Sequence, residues 1–156
     1  QQYDIKPDVV TMAKGLGGGM PIGAVMAADT CCNVLTPGTH ATTFGGTPIV
    51  CSAANVVLDT VGDGQFLMKV REKGEYLRNG ILSLGSPNIK GVRGMGLMLA
   101  ADLAEDGKGA LDVVLDGLSA GLLLNATGAH TLRFLPPLVC SRADVDALIE
   151  KLGGIL

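Results

Sequence analysis

Lys14 is the residue whose type and position most clearly allow covalent chemistry. It follows a run of branched and apolar residues at 9–13 and opens a glycine-dense turn that ends at Pro21. A lysine that leaves a buried strand can be desolvated, and its neutral amine can then attack a carbonyl to form a Schiff base. The glycines let the backbone come close to whatever Lys14 touches. From residue type alone the alternative is a solvated lysine at a strand end, because most lysines lie on the surface.

The elements that must position Lys14 are predicted from the apolar pattern around it. Residues 9–13 and 22–28 combine small and branched side chains and favour two interior strands. Residues 29–46 are expected to form a loop. Pro48 suits the first position of a helix that runs to about residue 61, because proline loses no needed N–H donor there.

A second amphipathic helix is predicted over residues 65–84. Apolar residues that mark its buried stripe recur along it at helical spacing: Phe66, Val70, Leu77 and Ile81. Gly74 and Gly80 lie inside the same segment, and each costs about 1 kcal/mol relative to alanine in a helix. The two glycines therefore argue against an unbroken helix, whereas the apolar spacing argues for one.

Residues 87–156 are predicted to form a small α/β layer. Residues 90–92 are expected to lead into a strand at 97–102, and two short strands are expected at 122–125 and 131–134. A helix is expected over 106–121, with these apolar residues facing inward: Leu111, Val114, Leu115 and Leu118. Ser141 should cap a terminal helix, because Asp144 follows three residues later.

Four segments, in this order along the chain, resemble the class III aminotransferases, which are fold type I enzymes that depend on pyridoxal phosphate. They read PDVVTMAKGLGGGMPIGA at 7–24, GTHATTFGGTP at 38–48, VRGMGLML at 92–99 and LRFLPPL at 132–138. Among the subfamilies the resemblance is strongest to the acetylornithine aminotransferases, followed by those that act on ornithine and succinylornithine. Four ordered motifs are far more specific than any one of them.

The resemblance implies an α/β fold that is the C-terminal part of a fold type I transferase. Complete members of the family are much longer and place most of their large domain before the cofactor lysine. Residues 1–84 are accordingly expected to be the end of the large domain with its connecting helices. Residues 85–156 are expected to be the small C-terminal α/β domain.

The resemblance also assigns roles to four residues. Lys14 matches the catalytic, cofactor-binding lysine, and Thr43 matches a threonine that binds the cofactor phosphate in the neighbouring subunit's site. Thr42 occupies a position near the substrate, and Arg133 resembles an arginine that binds a substrate carboxylate through its planar guanidinium. Thr47 departs from the family pattern, which usually has asparagine there, and this puts the hydrogen bonding of that turn in doubt.

Each of these assignments has a structural alternative. The hydroxyls of Thr42 and Thr43 could bond to their own loop backbone, and Arg133 could form a surface salt bridge at a strand end. Arg93 is expected to be structural. His40 and His130 are expected to be loop residues, since neither has an acidic or thiol partner at catalytic spacing.

The activity implied by the resemblance is transfer of an amino group from N-acetylornithine, ornithine or succinylornithine to 2-oxoglutarate in arginine metabolism. The substrates would be amino acids and 2-oxo acids, and the enzyme would be a cytoplasmic homodimer whose site is shared between subunits. The preferred donor is left open. The alternative is a catalytically inactive structural or dimerising remnant, because family members carry the aspartate that faces the pyridine nitrogen upstream of this segment.

Composition excludes several other classes of function. The net charge is −3 and the twelve basic residues are scattered, which argues against a nucleic-acid partner. No apolar run reaches the roughly 18 residues of a membrane span. The four cysteines form no C-x-x-C pair and are expected to be reduced, mostly buried thiols rather than metal ligands. Lys14 precedes its glycines, whereas a nucleotide-binding P-loop ends in Gly-Lys-Ser/Thr.

The mean hydropathy of +0.40 predicts exposed apolar patches.

Overall fold

The computed structural model describes residues 2–156, and the chain divides into two units at Gly64/Gln65. The first unit contains strands β1 (Val9–Met12) and β2 (Ala24–Ala27) and helix α1 (Pro48–Gly62). A short 3₁₀ turn, Lys14–Gly17, lies between the two strands. Pro48 occupies the first turn of α1, as its missing N–H donor predicts.

Strands β1 and β2 pair antiparallel, with Val9 opposite Ala27 and Met12 opposite Ala24. Their predicted interior position is wrong for this chain. Val9 is 46% exposed and Val25 is 60% exposed. The physical reason is that the sheet has two strands, and the described residues do not cover it with further layers on both faces. Apolar side chains of both strands are therefore exposed, and they form part of the exposed apolar surface that the mean hydropathy predicted.

The second unit holds a four-stranded antiparallel sheet and three helices. The helices are α2 (Gly64–Ser83), α3 (Ala110–Ser119) and α4 (Arg142–Gly153). The strands are β3 (Ile89–Met95), β4 (Met98–Leu103), β5 (Asn125–Ala126) and β6 (Thr131–Phe134). Their order across the sheet is β3-β4-β6-β5.

One face of this sheet forms the core of the second unit. Alternate residues of β4 and β6 point into it, and they pack with buried residues of all three helices. The most buried members of this cluster are Leu77, Ile81, Leu97, Leu99, Ala101, Ala110, Val113, Leu132 and Leu152. The other face carries polar side chains and the candidate substrate arginine.

Helix α2 is unbroken, which confirms the helical spacing over the argument from its glycines. A Cβ atom added at Gly74 would lie 2.2 Å from the carbonyl oxygen of Gly96, in the turn between β3 and β4. A Cβ atom at Gly80 would lie 2.9 Å from the side chain of Ile149 on α4. The glycines therefore let α2 approach the sheet and α4 closely, and tertiary packing offsets their low helix propensity.

The predicted inward face of α3 is wrong for its three leucines, whereas the fourth predicted residue, Val114, is half-buried and packs against the core. Leu111, Leu115 and Leu118 are 64%, 54% and 58% exposed. The face that packs inward contains small residues and one valine: Ala110, Val113 and Gly117. A Cβ atom at Gly117 would lie 2.9 Å from the side chain of Leu124, so the helix packs too closely for leucines to occupy that face. The helix also begins at Ala110 rather than 106.

The terminal helix α4 has the predicted cap. The Ser141 hydroxyl accepts a hydrogen bond from the Asp144 backbone N–H at 3.2 Å, and the Asp144 carboxylate accepts one from the Ser141 N–H at 2.7 Å. These bonds form a capping box. The Ser141 N–H, and the Ser141 hydroxyl that donates to the same carboxylate at 2.8 Å, lower the pKa of Asp144 below its ordinary value, because the charged carboxylate accepts both bonds.

The unit boundary at Gly64/Gln65 falls directly after the first residue of α2, because the buried stripe of α2 belongs to the core of the second unit. The expected domain boundary of the family, between residues 84 and 85, concerns a longer polypeptide and stays a prediction. No helix within residues 2–156 combines the length and apolarity of a membrane span.

The four cysteines are free thiols, as predicted. They are less buried than expected, since Cys32 is exposed and the other three are half-buried. Within the described part of the chain, no cluster of histidine, cysteine and carboxylate side chains has the makings of a metal site.

Candidate active site

Lys14 lies two residues after the end of β1 and begins the 3₁₀ turn. Its φ is +54°, in the left-handed region that residues other than glycine rarely adopt. The Leu16 N–H donates to the Ala13 carbonyl at 3.2 Å and holds the turn around it. With residues 11–13, Lys14 lines an open cavity of about 230 Å³. Such strained residues persist only where the surroundings hold them, and they cluster at functional sites.

The glycine turn after Lys14 is fixed by packing within the first unit. A Cβ atom at Gly17 would lie 2.9 Å from the side chain of Ile22, and one at Gly18 would lie 3.1 Å from Val57 of α1. Larger residues there would push the turn away from its neighbours. At Gly15 and Gly19, in contrast, a Cβ atom would meet nothing within 4 Å. The backbone is therefore open to a bound group at these two positions.

The side chain of Lys14 is exposed. The expectation that β1 would desolvate it is wrong for the described residues, because β1 is itself exposed and forms only a two-stranded sheet. The strand is nevertheless well anchored: the Ala28 N–H donates to the Asp8 carbonyl at 2.8 Å. The Thr30 hydroxyl donates to the Asp8 carboxylate at 3.0 Å. Residue spacing gave no signal for this role of Asp8, since its partner is 22 residues away.

Thr42 and Thr43 lie on an exposed loop before α1. The Thr42 hydroxyl accepts a hydrogen bond from the Gly45 N–H at 3.2 Å. This is the bond to its own loop backbone that the structural alternative predicted. The Thr43 hydroxyl has no hydrogen-bond partner within residues 2–156. Thr47 is the N-cap residue of α1, and its side chain makes no capping hydrogen bond. Among the described residues, the hydroxyls of Thr43 and Thr47 are therefore both unengaged, and that of Thr43 is the one that the resemblance assigns to the phosphate.

Arg133 lies on β6 and points to the sheet face opposite the core. It is paired with Asn125 on β5 and with Ala100 on β4. With Asn125 it lines a cavity of about 480 Å³ whose other walls are mostly apolar, among them Pro136 and Leu148. Arg133 forms no ion pair or hydrogen bond with any residue that the structure describes. The alternative of a strand-end salt bridge is therefore not what is observed there.

Arg93, on the same sheet face, does have a structural partner. Its Nε and Nη2 donate to the two carboxylate oxygens of Asp102 at 2.9 and 3.1 Å. The Thr131 hydroxyl donates to Asp102 Oδ1 at 3.1 Å. The bond from Arg93 is the main cause that lowers the pKa of Asp102, and the pKa of Arg93 is raised in return. The sequence had no signal for Asp102 as the partner.

The two histidines take no part in these groups. His40 is exposed. His130 is half-buried, and its backbone carbonyl accepts a hydrogen bond from the Leu103 N–H at 2.7 Å, while its Nδ1 has no partner among the described residues. Of the four predicted site residues, Lys14, Thr42 and Thr43 belong to the first unit and Arg133 belongs to the second.

Comparison with protein families gives a match to the family model "Aminotransferase class-III" over residues 1–156, the whole chain. The chain belongs to the class III aminotransferase family. The family assignment predicted from the four ordered motifs is thereby confirmed. The match does not test the roles of the individual residues in these motifs.

Named relatives of this class III aminotransferase chain are longer proteins. It is 44% identical to the acetylornithine aminotransferase of Aquifex aeolicus, over all of this chain and 39% of that protein. Among solved structures, N-acetylornithine aminotransferase from Stenotrophomonas maltophilia matches with a TM-score of 0.88 and 32% identity, over 99% of this chain and 40% of that one. Ornithine aminotransferase from Toxoplasma gondii matches with a TM-score of 0.85 and 31% identity, over 97% and 37%. The α/β fold is that of the family, and the chain spans about two fifths of these relatives.

Proposed function

We propose that this chain is part of an enzyme that moves an amino group from N-acetylornithine, or from ornithine or succinylornithine, to 2-oxoglutarate. The donor class is supported by the names of similar proteins, which are acetylornithine and ornithine aminotransferases. The observation that carries the proposal is the placement of Lys14. A primary amine follows a strand end, in a backbone conformation that lysine rarely adopts, within a class III aminotransferase chain.

The first unit fits pyridoxal phosphate in the chemistry of its donors. Lys14 offers a primary amine for an aldehyde, and Thr43 offers an unengaged hydroxyl for a phosphate. Cβ atoms at Gly15, Gly19 and Gly46 would meet nothing within 4 Å, so the backbone leaves space for a bound group. When bound, the cofactor supplies the aldehyde that takes up the amino group and the ring that withdraws electrons.

In this proposal Lys14 Nζ holds the cofactor and then, once released, accepts and returns the proton on the carbon that bears the transferred amino group. The hydroxyl of Thr43 donates to the cofactor phosphate, and Thr42 contacts the substrate. Arg133 binds a substrate carboxylate through two parallel N–H donors, for which its unpaired state leaves it available.

We further propose a cytoplasmic homodimer in which Thr43 serves the site of the neighbouring subunit. Phe44, next to Thr43, is 82% exposed, which supports a covered surface on this loop in the assembly. The four free thiols agree with a reducing compartment.

A second candidate is a catalytically inactive structural or dimerising remnant of such an enzyme. One observation favours it: the described residues leave Lys14 exposed. Cofactor attachment separates the two candidates, because an active site selects Lys14 among the lysines and a remnant does not.

The test is reduction by borohydride after incubation with one equivalent of pyridoxal phosphate, followed by peptide mass mapping. We expect the label on the peptide that contains Lys14 and its loss in Lys14→Ala. Lys6→Ala is the matched control, because Lys6 is also an exposed lysine of the first unit, and it should retain the label. Even labelling of exposed lysines, unchanged by Lys14→Ala, would favour the remnant.

A further inference from the structure

The outer face of the second unit's sheet brings three charged residues into neighbouring positions. Ala100 on β4 is opposite Arg93 on β3 and also opposite Arg133 on β6. Asp102 lies two residues further along β4, on the same face as Ala100. It is therefore a diagonal cross-strand neighbour of both arginines, a spacing that long side chains can bridge.

Asp102 pairs with only one of its two candidate partners. Both carboxylate oxygens accept from Arg93, at 2.9 and 3.1 Å, and Oδ1 also accepts from the Thr131 hydroxyl. Arg133 donates no hydrogen bond to Asp102 or to any other described residue. The guanidinium of Arg133 instead lines the 480 Å³ cavity together with Asn125.

The pairing also decides the local charge next to Arg133. Arg93 and Asp102 together are neutral, so they attract neither Arg133 nor an incoming anion strongly. If Arg93 were neutral, Asp102 would be left as an unpaired carboxylate beside a free guanidinium. The two would then form an ion pair, and a bound carboxylate would have to displace Asp102 from Arg133.

We propose that Arg93 is a positioning residue that holds Asp102 away from Arg133 and so keeps the Arg133 guanidinium free to bind a carboxylate. This inference rests on the proposed function in one respect, namely that Arg133 binds the carboxylate of the substrate. Arg93 itself touches no substrate in this scheme. It acts through Asp102, which it engages with a bidentate pair.

The first experiment is an NMR titration of the 156-residue chain with 2-oxoglutarate, followed through the backbone amide signals of Asn125 and Phe134, which line the same cavity as Arg133 and are present in every variant. Arg93→Gln should weaken binding about two- to fivefold, the range expected for competition by an exposed ion pair. Adding Asp102→Asn to Arg93→Gln should restore binding, because the competing carboxylate is gone. Arg71→Gln is the matched control: it removes one positive charge from an exposed position on α2, and it should leave binding unchanged.

The second experiment needs no ligand and measures the pKa of the Asp102 carboxyl by NMR. It should stay low in Arg93→Gln, because Arg133 takes over as partner, and rise in Arg93→Gln/Arg133→Gln. A rise in Arg93→Gln as large as in the double variant would show that Asp102 does not turn to Arg133, and would overturn the inference. Circular dichroism of each variant checks that the unit is folded.

The two experiments distinguish failure of the inference from failure of the proposed function. If Arg133→Gln leaves 2-oxoglutarate binding unchanged, the carboxylate role of Arg133 is wrong, and the ligand-free pKa measurement still decides whether Arg93 restrains Asp102. If Arg133→Gln abolishes binding but Arg93→Gln does not weaken it, the proposed function stands and the inference fails. Arg93→Lys, which keeps the charge but loses the bidentate fork, should show intermediate binding.

Discussion

Replacement of Gly74 by alanine should destabilise the second unit, although alanine is the better helix former. The added Cβ atom would lie 2.2 Å from the carbonyl oxygen of Gly96, and 2.4 Å from its carbonyl carbon. Ordinary contact begins at 3.4 Å, so α2 would have to move away from the β3–β4 turn by 3.4 − 2.2 = 1.2 Å. The obstacle is backbone and cannot rotate aside.

The magnitude follows from two opposing effects. Alanine gains about 1 kcal/mol in helix propensity over glycine. Overpacking of a closely packed contact costs about 1–3 kcal/mol, and a backbone obstacle places this case at the upper end. The net loss in the free energy of unfolding should therefore be about 1–2 kcal/mol. The close approach of Gly74 to the Gly96 carbonyl therefore makes the substitution destabilising, although alanine has the higher helix propensity.

The assay is urea unfolding of the 156-residue chain, followed by far-ultraviolet circular dichroism and by tyrosine fluorescence, to which Tyr76 on α2 and Tyr3 contribute. Gly80→Ala is the matched control on the same helix: its Cβ atom would meet only the side chain of Ile149, at 2.9 Å, and a side chain can yield by a few tenths of an ångström where a backbone carbonyl cannot. We expect Gly80→Ala to be close to neutral. A Gly74→Ala variant as stable as the control would refute the close approach of α2 to the β3–β4 turn.

Three further predictions concern cofactor binding, activity and pH. Thr43→Val should weaken retention of pyridoxal phosphate several-fold in the longest polypeptide that carries this chain, in line with the roughly 1–3 kcal/mol lost when an acceptor loses its donor; unchanged affinity in equilibrium dialysis would show that the loop is only structural. The 156-residue chain alone should transfer little or no amino group from N-acetylornithine to 2-oxoglutarate in a coupled assay, and turnover within about tenfold of a full-length relative would mean that the site is complete within these residues. Asp144→Asn should lower the urea midpoint at neutral pH but not at pH values below the pKa of Asp144 in the folded chain. That pKa is lowered on folding, so the carboxylate stabilises the fold at pH values above its pKa in the unfolded chain, and this contribution is lost as the pH falls through its pKa in the folded chain. An equal effect at both pH values would contradict the charged capping box.

Local sequence patterns were sufficient for much of the chain. The helix that begins at Pro48, the cap at Ser141 and the strand over 131–134 are all confirmed. These features depend on interactions between residues close in sequence: a missing N–H donor, a side chain that reaches its own helix, and alternation along one strand. The family was also predictable, because four ordered motifs are carried by the residues themselves.

The candidate site was predicted in part. Lys14 was found from its neighbours, and its positive φ agrees with a special position, but its exposure was not expected. The burial of a strand depends on layers that pack against it from elsewhere. An apolar strand therefore indicates that other elements pack against it, but its sequence does not show whether those elements belong to the same chain.

The sequence by itself determined the family, the position of the candidate lysine and most element boundaries, since these follow from local chemistry and from ordered motifs. Tertiary structure alone decided which face of α3 is buried, because apolar residues lie on both sides of that helix and only close packing of Gly117 against Leu124 selects one. It also decided which arginine is free. Arg93 and Arg133 both carry the same charge, and only the cross-strand register places Asp102 beside both and lets Arg93 take it.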